Sequence, residues 1–222
     1  MNIKTIPLAL VALTLGGCVS TFDTIPFSEQ EESFKQALTE EIKSSNDEDA
    51  RLQLGRMMFE HNYLDEADEE LGKLVEENPE NYEALAWFGA NNCKQAGAAI
   101  PWAMGIRKMV MVNECIGQID TALKAEPDNF TIRLIAINTG SVVKVMGSLD
   151  TAVQEKEKLD AEIEKQPDLY TPDAKSHFYL AAAQTETALE NKEGAQAYLN
   201  KVLELNANET VTSMAKAKIA GL

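Results

Sequence analysis

The stretch from Ala50 to Pro79 constrains the fold most, because its small and apolar residues have the spacing of two helices packed side by side. Gly55 on the first predicted helix and Ala67 on the second are small, so the helices can approach closely. The larger residues buried between them would be Leu54, Met58, Leu71 and Leu74. Pro79 ends the second helix, since proline lacks an N–H and disfavours helix in the residue before it. The stretch therefore predicts a helix–turn–helix unit.

The same pattern recurs along the chain with changed lengths. In the second copy, Gly89 and Cys115 take the places of Gly55 and Ala67. This copy is longer by about 14 residues, which adds about two turns to each helix. We expect one helical domain over 28–222. Its predicted hairpins are at about 47–79, 81–127, 129–167 and 172–207, with flanking helices at 28–44 and 209–220.

Side chains that cap helices support these boundaries. Ser28 and Glu31 have the spacing of a capping box, in which each side chain bonds the other's backbone N–H. In the third hairpin, Asn129 is expected to cap a helix that is broken or bent near Gly140. Ser148 is expected to cap the helix that follows.

With these positions the chain resembles the tetratricopeptide repeat. The resemblance implies an all-α fold in which TPR-like helical hairpins stack as a right-handed superhelix. Some positions depart from the family pattern, because Arg51 and Met58 stand where aromatic residues are usual and Ala207 stands where proline is usual. The small-residue positions match well.

The resemblance also implies a binding surface. Tetratricopeptide proteins usually bind extended peptides along a groove lined by the first helix of each repeat. The lining implied here is Leu52, Arg56, Phe59, Ala86, Ala90, Cys93, Leu180, Gln184 and Thr187. The lysine and asparagine set with which some members hold a peptide carboxylate is absent.

The first 17 residues have the pattern of a signal peptide. Lys4 supplies a positive start, and the apolar run 6–15 is too short to span a bilayer, which takes about 20 residues. The sequence Leu-Gly-Gly-Cys that ends at Cys18 resembles the bacterial lipobox. The resemblance implies cleavage before Cys18 and attachment of diacylglycerol to its sulfur. The alternatives are an ordinary secretory signal and an anchor that stays uncut.

Val19 follows the cysteine, where aspartate would resemble a signal for retention in the inner membrane. By resemblance, the expected location is the outer membrane, facing the periplasm, if the source has two membranes. Residues 18–27 are then a lipidated tether whose polar part reaches about 25 Å when fully extended.

Composition narrows the classes of partner. Of 222 residues, 45% are hydrophobic, and the formal net charge is −16. A protein so negative repels nucleic acid and anionic headgroups over most of its surface, so nucleic acid is not an expected partner. The charge has two interpretations, a solvated outer face or an acidic surface that selects a basic partner.

The second hairpin has different chemistry from 90 to 112. Its charges are Lys94, Arg107 and Lys108, and its apolar residues are too many for one buried stripe. They must be covered by neighbouring helices, another copy of the chain, a ligand or the membrane surface. Trp102 and Met104, with Arg107 and Lys108, form the candidate partner surface.

Signals of catalysis and metal binding are weak. His61 and His177 are about a hundred residues apart, and the acidic run from Glu66 to Glu70 lacks the pattern of a calcium-binding loop. No glycine-rich phosphate loop is present. We expect no enzymatic activity, no cofactor and no metal.

Cys93 and Cys115 are predicted to be two buried thiols. If Gly89 faces Cys115, the residue opposite Cys93 is near Met111. The two cysteines would then be offset by about one turn, beyond the Cα separation of about 7 Å that a disulfide allows.

Three functional hypotheses follow. The first is a lipid-anchored periplasmic scaffold for protein–protein interaction at the outer membrane, bound to the membrane through Cys18 and to protein partners of unknown identity. The second is an accessory subunit of a periplasmic transport system that binds a small ligand. The third is a structural envelope lipoprotein that associates with itself, as a homo-oligomer.

Overall fold

The computed structural model describes residues 22–98 and 105–222, and these contain ten α-helices, one short 3-10 turn and no strand. The turn is Pro167–Leu169. The helices are α1 Glu29–Ser45, α2 Glu48–Glu60, α3 Leu64–Glu77, α4 Tyr82–Ala98, α5 Gly105–Ala125, α6 Phe130–Val143, α7 Ser148–Lys165, α8 Pro172–Ala188, α9 Lys192–Leu205 and α10 Glu209–Ile219. The all-α prediction is confirmed.

Caps set the ends of several helices. The predicted capping box opens α1, where Glu31 N–H donates to Ser28 Oγ at 3.3 Å and Ser28 N–H to Glu31 Oε2 at 2.8 Å. Asn129 Oδ1 accepts from Ile132 N–H at 3.2 Å, as predicted for the start of α6. Side-chain oxygens thus satisfy backbone N–H groups that have no partner within the helix.

The chain divides into two compact units within α6. The described residues of the first unit are 22–98 and 105–136, and those of the second are 137–222.

Small residues bring the helices of the first unit together, as the sequence predicts. A Cβ placed on Gly55 would lie 2.6 Å from Leu71 Cγ, so α2 and α3 meet at this glycine. A Cβ on Gly89 would lie 2.9 Å both from the Cys115 carbonyl oxygen and from Ile119 Cγ1. Leu54, Leu71 and Leu74, three of the four residues predicted to be buried here, are buried, whereas Met58 is only partly buried. Ala67, Ile119 and Ala122 are buried around the same contacts.

The second unit repeats this principle. Gly140 lies so close to α7 that an added Cβ would be 2.2 Å from the Ser148 carbonyl oxygen. The predicted break at Gly140 is wrong, because α6 continues through it to Val143 and the glycine serves the approach of α7. Gly147, with φ of 79°, precedes α7, so Ser148 is its first residue rather than its cap.

Helices α8, α9 and α10 complete the second unit around one apolar cluster. Its buried members are Leu180, Ala183, Leu199, Val202, Val211 and Ala215. They come from all three helices, so α10 covers the end of the α8–α9 pair as a terminal helix of a stack does.

Candidate functional site

Two helices of the first unit, α2 and α4, place charged and aromatic side chains against each other. Arg56 Nη1 lies 3.1 Å from Glu83 Oε1, and the Arg56 guanidinium carbon lies 5.0 Å from the centre of the Trp87 ring. Trp87 packs edge-on against Phe59, with 5.4 Å between the ring centroids. A guanidinium held by both a carboxylate and an indole loses rotational freedom. Arg56 therefore has a fixed orientation and remains partly exposed.

Lys94, on α4, packs against the C-terminal end of α2. Its Nζ donates to the Phe59 carbonyl oxygen at 3.1 Å and lies 4.5 Å from the centroid of the Phe59 ring. Phe22 lies on it as well, with its ring centroid 5.2 Å from Nζ. Burial lowers the pKa of Lys94 to about 8, and the charge of Glu60 opposes this shift. The ammonium stays charged at neutral pH among a helix C-terminus, two rings and a carboxyl.

Glu60 is the buried acid of this group. Burial raises the pKa of Glu60 to about 8, although the charges of Arg56 and Lys94 act to lower it. At pH 7 the carboxyl is therefore mostly protonated. We call Arg56, Glu60, Glu83, Trp87 and Lys94 the α2–α4 cluster.

Several buried polar atoms in and beside the α2–α4 cluster make no hydrogen bond within the described part of the chain: Arg56 Nε, Glu60 Oε1, Trp87 Nε1 and Asn91 Oδ1. Each such atom costs about 1–3 kcal/mol of stability. Unpaired buried polar atoms and shifted pKa values are concentrated at functional sites. The cluster is therefore the candidate site of the first unit.

Raising the pH from 5.5 to 7 should lower the free energy of unfolding by about 2 kcal/mol through Glu60. The folded protein holds this proton up to about pH 8, whereas the unfolded chain releases it near the ordinary value of 4.5. The stabilising effect is therefore complete below pH 4.5 and is lost as the pH rises toward 8. Urea unfolding followed by circular dichroism at the two pH values measures the loss.

Glu60→Gln is the matched control, because glutamine has nearly the shape of the protonated carboxyl and does not titrate. We expect the variant to lack this 2 kcal/mol loss. Lys94 acts only at higher pH, since its lowered pKa restores stability between about pH 8 and its ordinary value of 10.5. An equal loss in the two proteins would contradict the assignment to Glu60.

Residues 22–27 pack on the turn between α2 and α3. Ile25 N–H donates to the His61 carbonyl oxygen at 2.9 Å, and Asn62 Nδ2 donates to the Asp23 carbonyl oxygen at 2.7 Å. The Phe27 ring stacks on Tyr63, with centroids 5.1 Å apart. This part of the segment predicted to be a tether is thus attached to the repeats from Phe22 onward. The apolar residues in Phe-Asp-Thr-Ile-Pro-Phe were the signal that sequence reasoning passed over.

The start of α5 exposes apolar side chains. Ile106, Met109 and Val110 are 83%, 66% and 49% exposed. Arg107 is exposed beside them, and Lys108 is partly exposed. Arg107 and Lys108 of the predicted partner surface lie in this region, whereas Trp102 and Met104 lie outside the described residues. Cys18 and the predicted signal peptide at 1–17 also lie outside them.

The second unit has a cation–aromatic surface on α8 and α9. Lys201 Nζ lies 4.9 Å from the ring centroids of both Tyr179 and Tyr198. The Tyr198 hydroxyl donates to Asp160, and burial together with this bond raises the pKa of Tyr198. Sequence reasoning missed this group because its members come from three helices.

Comparison with solved structures decides the fold family. A crystal structure of TTC0263, described as a thermophilic TPR protein in Thermus thermophilus, superimposes with a TM-score of 0.64. The match covers 87% of this chain and 93% of that one, at 18% sequence identity. The chain has a tetratricopeptide-repeat fold. No protein-family model matches the sequence, and no curated protein matches it.

Within this tetratricopeptide fold, most of the predicted groove residues are buried. Phe59, Ala86, Ala90, Leu180 and Gln184 are each at most 9% exposed. Leu52 and Arg56 are partly exposed on α2, and Thr187 is exposed on α8. The buried residues therefore position the surface, and Leu52 and Arg56 belong to the surface itself in the first unit.

The prediction of two buried thiols is wrong, because Cys93 and Cys115 form a disulfide with Cα atoms 5.3 Å apart. The predicted register set Gly89 opposite Cys115. Instead, a Cβ on Gly89 would contact Cys115, Gln118 and Ile119, so the glycine lies about half a turn further along α5. This shift brings Cys93 to within about half a turn of Cys115, close enough for the disulfide.

The histidines of the tetratricopeptide fold have structural contacts. His61 Nε2 lies 3.3 Å from Glu31 Oε1, and His177 Nε2 lies 3.7 Å from Asp173 Oδ2. Within residues 22–98 and 105–222, no three His, Cys, Asp or Glu side chains lie together as metal ligands would. Across the same residues, no helix has both the length and the apolar character required to span a bilayer.

Proposed function

We propose that this protein is a scaffold for protein–protein interaction, attached to a bilayer by lipid on Cys18. The tetratricopeptide fold carries the proposal, because stacked helical hairpins offer extended surfaces for other chains. The proposed location is the periplasmic face of the outer membrane in a source that has two membranes. The lipobox-like sequence before Cys18 supports the anchor.

The Cys93–Cys115 disulfide supports export from the cytoplasm. Disulfides form and persist in oxidising compartments such as the periplasm and are rare where thiols are kept reduced. The Cys93–Cys115 disulfide supports export independently of the signal-peptide pattern, because both cysteines lie in the repeats.

The α2–α4 cluster is the proposed docking surface of the first unit. Arg56 and Glu83 remain partly exposed, with side chains 14% and 24% accessible, and Leu52 lies one turn before Arg56 on α2. Three residues support this surface. Trp87 contacts Arg56, Phe59 packs against Trp87, and Lys94 donates to the Phe59 carbonyl oxygen. A fixed arginine beside a carboxylate and a leucine suits a protein segment that presents both polar and apolar groups.

Photocrosslinking in cells that naturally produce this protein tests this function. A photoreactive amino acid is placed at position 52 of the full-length protein, and the matched control carries it at position 73 on α3. We expect adducts with another protein from position 52 and none from position 73. Adducts with a second copy alone would favour the structural, self-associating alternative, and absence of adducts from position 52 would contradict the scaffold.

The anchor has a separate test. Labelling cells with an alkyne fatty acid should mark the wild-type protein and leave Cys18→Ala unlabelled. The variant should also move from the membrane fraction to the soluble fraction. Membrane recovery of unlabelled wild-type protein would contradict the lipid anchor and leave the scaffold proposal standing.

A further inference from the structure

The exposed apolar residues of α5 form one stripe. Ile106, Met109 and Val110 occupy positions i, i+3 and i+4, which lie on the same face of a helix. The face of α5 that contacts α4 is a different one, which includes the fully buried Cys115. A stripe this exposed next to a completed helix pair marks a contact with something outside the chain's own core.

The start of α5 projects beyond the described end of α4. The disulfide sets Cys93 close to the level of Cys115 in this antiparallel pair. Counting outward from that level, Ala98 is level with about Val110, so the helix from Gly105 to Val110 extends about 8 Å further. Ile106 and Met109 therefore lie at one end of the hairpin.

The chain that leads to Cys18 reaches the same end. A Cβ on Gly97, in the last turn of α4, would lie 3.9 Å from the Phe22 ring, and Lys94 Nζ lies over that ring. Phe22 and Cys18 are four residues apart, a span of at most about 14 Å. A lipid on Cys18 would thus hold this end of the hairpin within about 14 Å of the headgroups.

Charge favours a bilayer at this place. The whole protein has a net charge of −16, and its acidic surface is repelled by anionic headgroups. Arg107 and Lys108 are cationic, and no acidic residue lies between Gly105 and Asn113. Basic residues beside an exposed apolar stripe are typical of helices that lie in the membrane interface.

We propose that the start of α5, from Gly105 to Val110, rests on the phospholipid bilayer, with Ile106, Met109 and Val110 in the interface and Arg107 and Lys108 at the headgroups. The proposal rests on the lipid anchor at Cys18 proposed above. Together, the lipid and this helix end form two attachments, which fix the orientation of the first unit on the membrane. A single lipid chain on a free tether would leave that orientation open.

Quenching by lipid measures this contact in the full-length, lipid-modified protein. A fluorescent amino acid is introduced at position 109, which is exposed. The matched control carries it at position 124, which is exposed at the other end of α5, about 22 Å away along the helix. The proteins are reconstituted in vesicles of phosphatidylethanolamine and phosphatidylglycerol with a nitroxide on some acyl chains. We expect fluorescence at position 109 to fall about twofold and that at position 124 to stay unchanged.

A charge variant makes the test specific to the stripe. Ile106→Glu with Val110→Glu should remove the quenching at position 109, because carboxylates are expelled from the interface, while the lipid on Cys18 still holds the protein on the vesicles. These two side chains are exposed, so the fold should be kept, as circular dichroism will verify.

The remaining outcomes separate this inference from the anchor. Acylated protein on vesicles with no quenching at position 109, or with equal quenching at position 124, would overturn the membrane contact and leave the anchor intact. Crosslinks between two copies at position 109 without quenching would assign the stripe to self-association and overturn it as well. Absence of acylation would overturn both the anchor and this inference.

Discussion

Gly140→Ala should lower the free energy of unfolding by about 3 kcal/mol, the upper part of the range for an overpacked core. The added Cβ would lie 2.2 Å from the Ser148 carbonyl oxygen, 2.9 Å from the Ser148 carbonyl carbon and 3.0 Å from Ala152 Cβ. Two of these three atoms are backbone, so no side-chain rotation relieves the clash. The helices α6 and α7 must separate, and the residues packed between them lose contacts. Urea unfolding followed by circular dichroism measures the change.

Gly117→Ala is the matched control for Gly140→Ala. Gly117 lies within α5, is exposed, and has no atom within 4 Å of an added Cβ. Alanine should therefore stabilise the helix by about 1 kcal/mol, since glycine loses more backbone entropy on folding. Similar changes in the two variants would show that helix propensity, rather than the approach of α7 to Gly140, determines the outcome.

The close approach of two helices at a glycine also explains why much of the fold could be predicted from the sequence. Gly55 and Gly89 were identified as contact points because a small residue facing a larger one leaves a spacing that recurs along the chain. Contacts within one hairpin are local, and local pairings are fixed by short-range spacing. The Ser28–Glu31 capping box is local for the same reason, and its prediction held in both hydrogen bonds.

Gly140 shows where this reasoning fails. A glycine inside a helix indicates either a weak point or a close approach, and the sequence alone does not distinguish the two. The contact with Ser148 and Ala152 depends on how α7 returns, through the left-handed Gly147. The sequence does not show which residues of the next helix contact Gly140, and this information is needed to distinguish a weak point from a close approach.

The candidate site was harder to predict than the fold. Arg56 and Phe59 were identified, but Glu60, Trp87 and Lys94 were not, because their roles arise from packing between helices that are separate in sequence. The attachment of residues 22–27 was missed because its hydrogen bonds join residues more than 30 positions apart. Segments without periodicity carry little signal for such contacts.

A register error of half a turn was enough to reverse the prediction for the cysteines. Half a turn of helix is about 2.7 Å along the axis, which is comparable to the margin between an allowed and a forbidden disulfide. Spacing of small residues sets the register to the nearest turn only. The side chains that refine it here include Asn92, whose Nδ2 donates to Gln118 Oε1 at 3.0 Å.

Reduction of the Cys93–Cys115 disulfide should lower the free energy of unfolding by about 3 kcal/mol. The bond closes a loop whose ends are 22 residues apart, and this restricts the unfolded chain far more than the folded hairpin, in which the two helices are already paired. Both cysteines are at most 6% exposed, so the folded protein should resist reduction and lose the bond mainly when it unfolds. One sample is reduced with dithiothreitol in urea and refolded with the reductant present. Its thermal unfolding is then compared with that of the oxidised protein.

Cys93→Ala with Cys115→Ala separates the crosslink from the packing of the sulfur atoms. Dithiothreitol should leave the melting temperature of this variant unchanged, whereas the wild-type protein should become nearly as unstable as the variant when reduced. Alkylation in urea without reductant should leave Cys93 and Cys115 unmodified, and reduction should add two labels. Because the loop between the cysteines includes the start of α5, loss of the bond should also increase hydrogen exchange there. Labelling of both residues before reduction would contradict the disulfide.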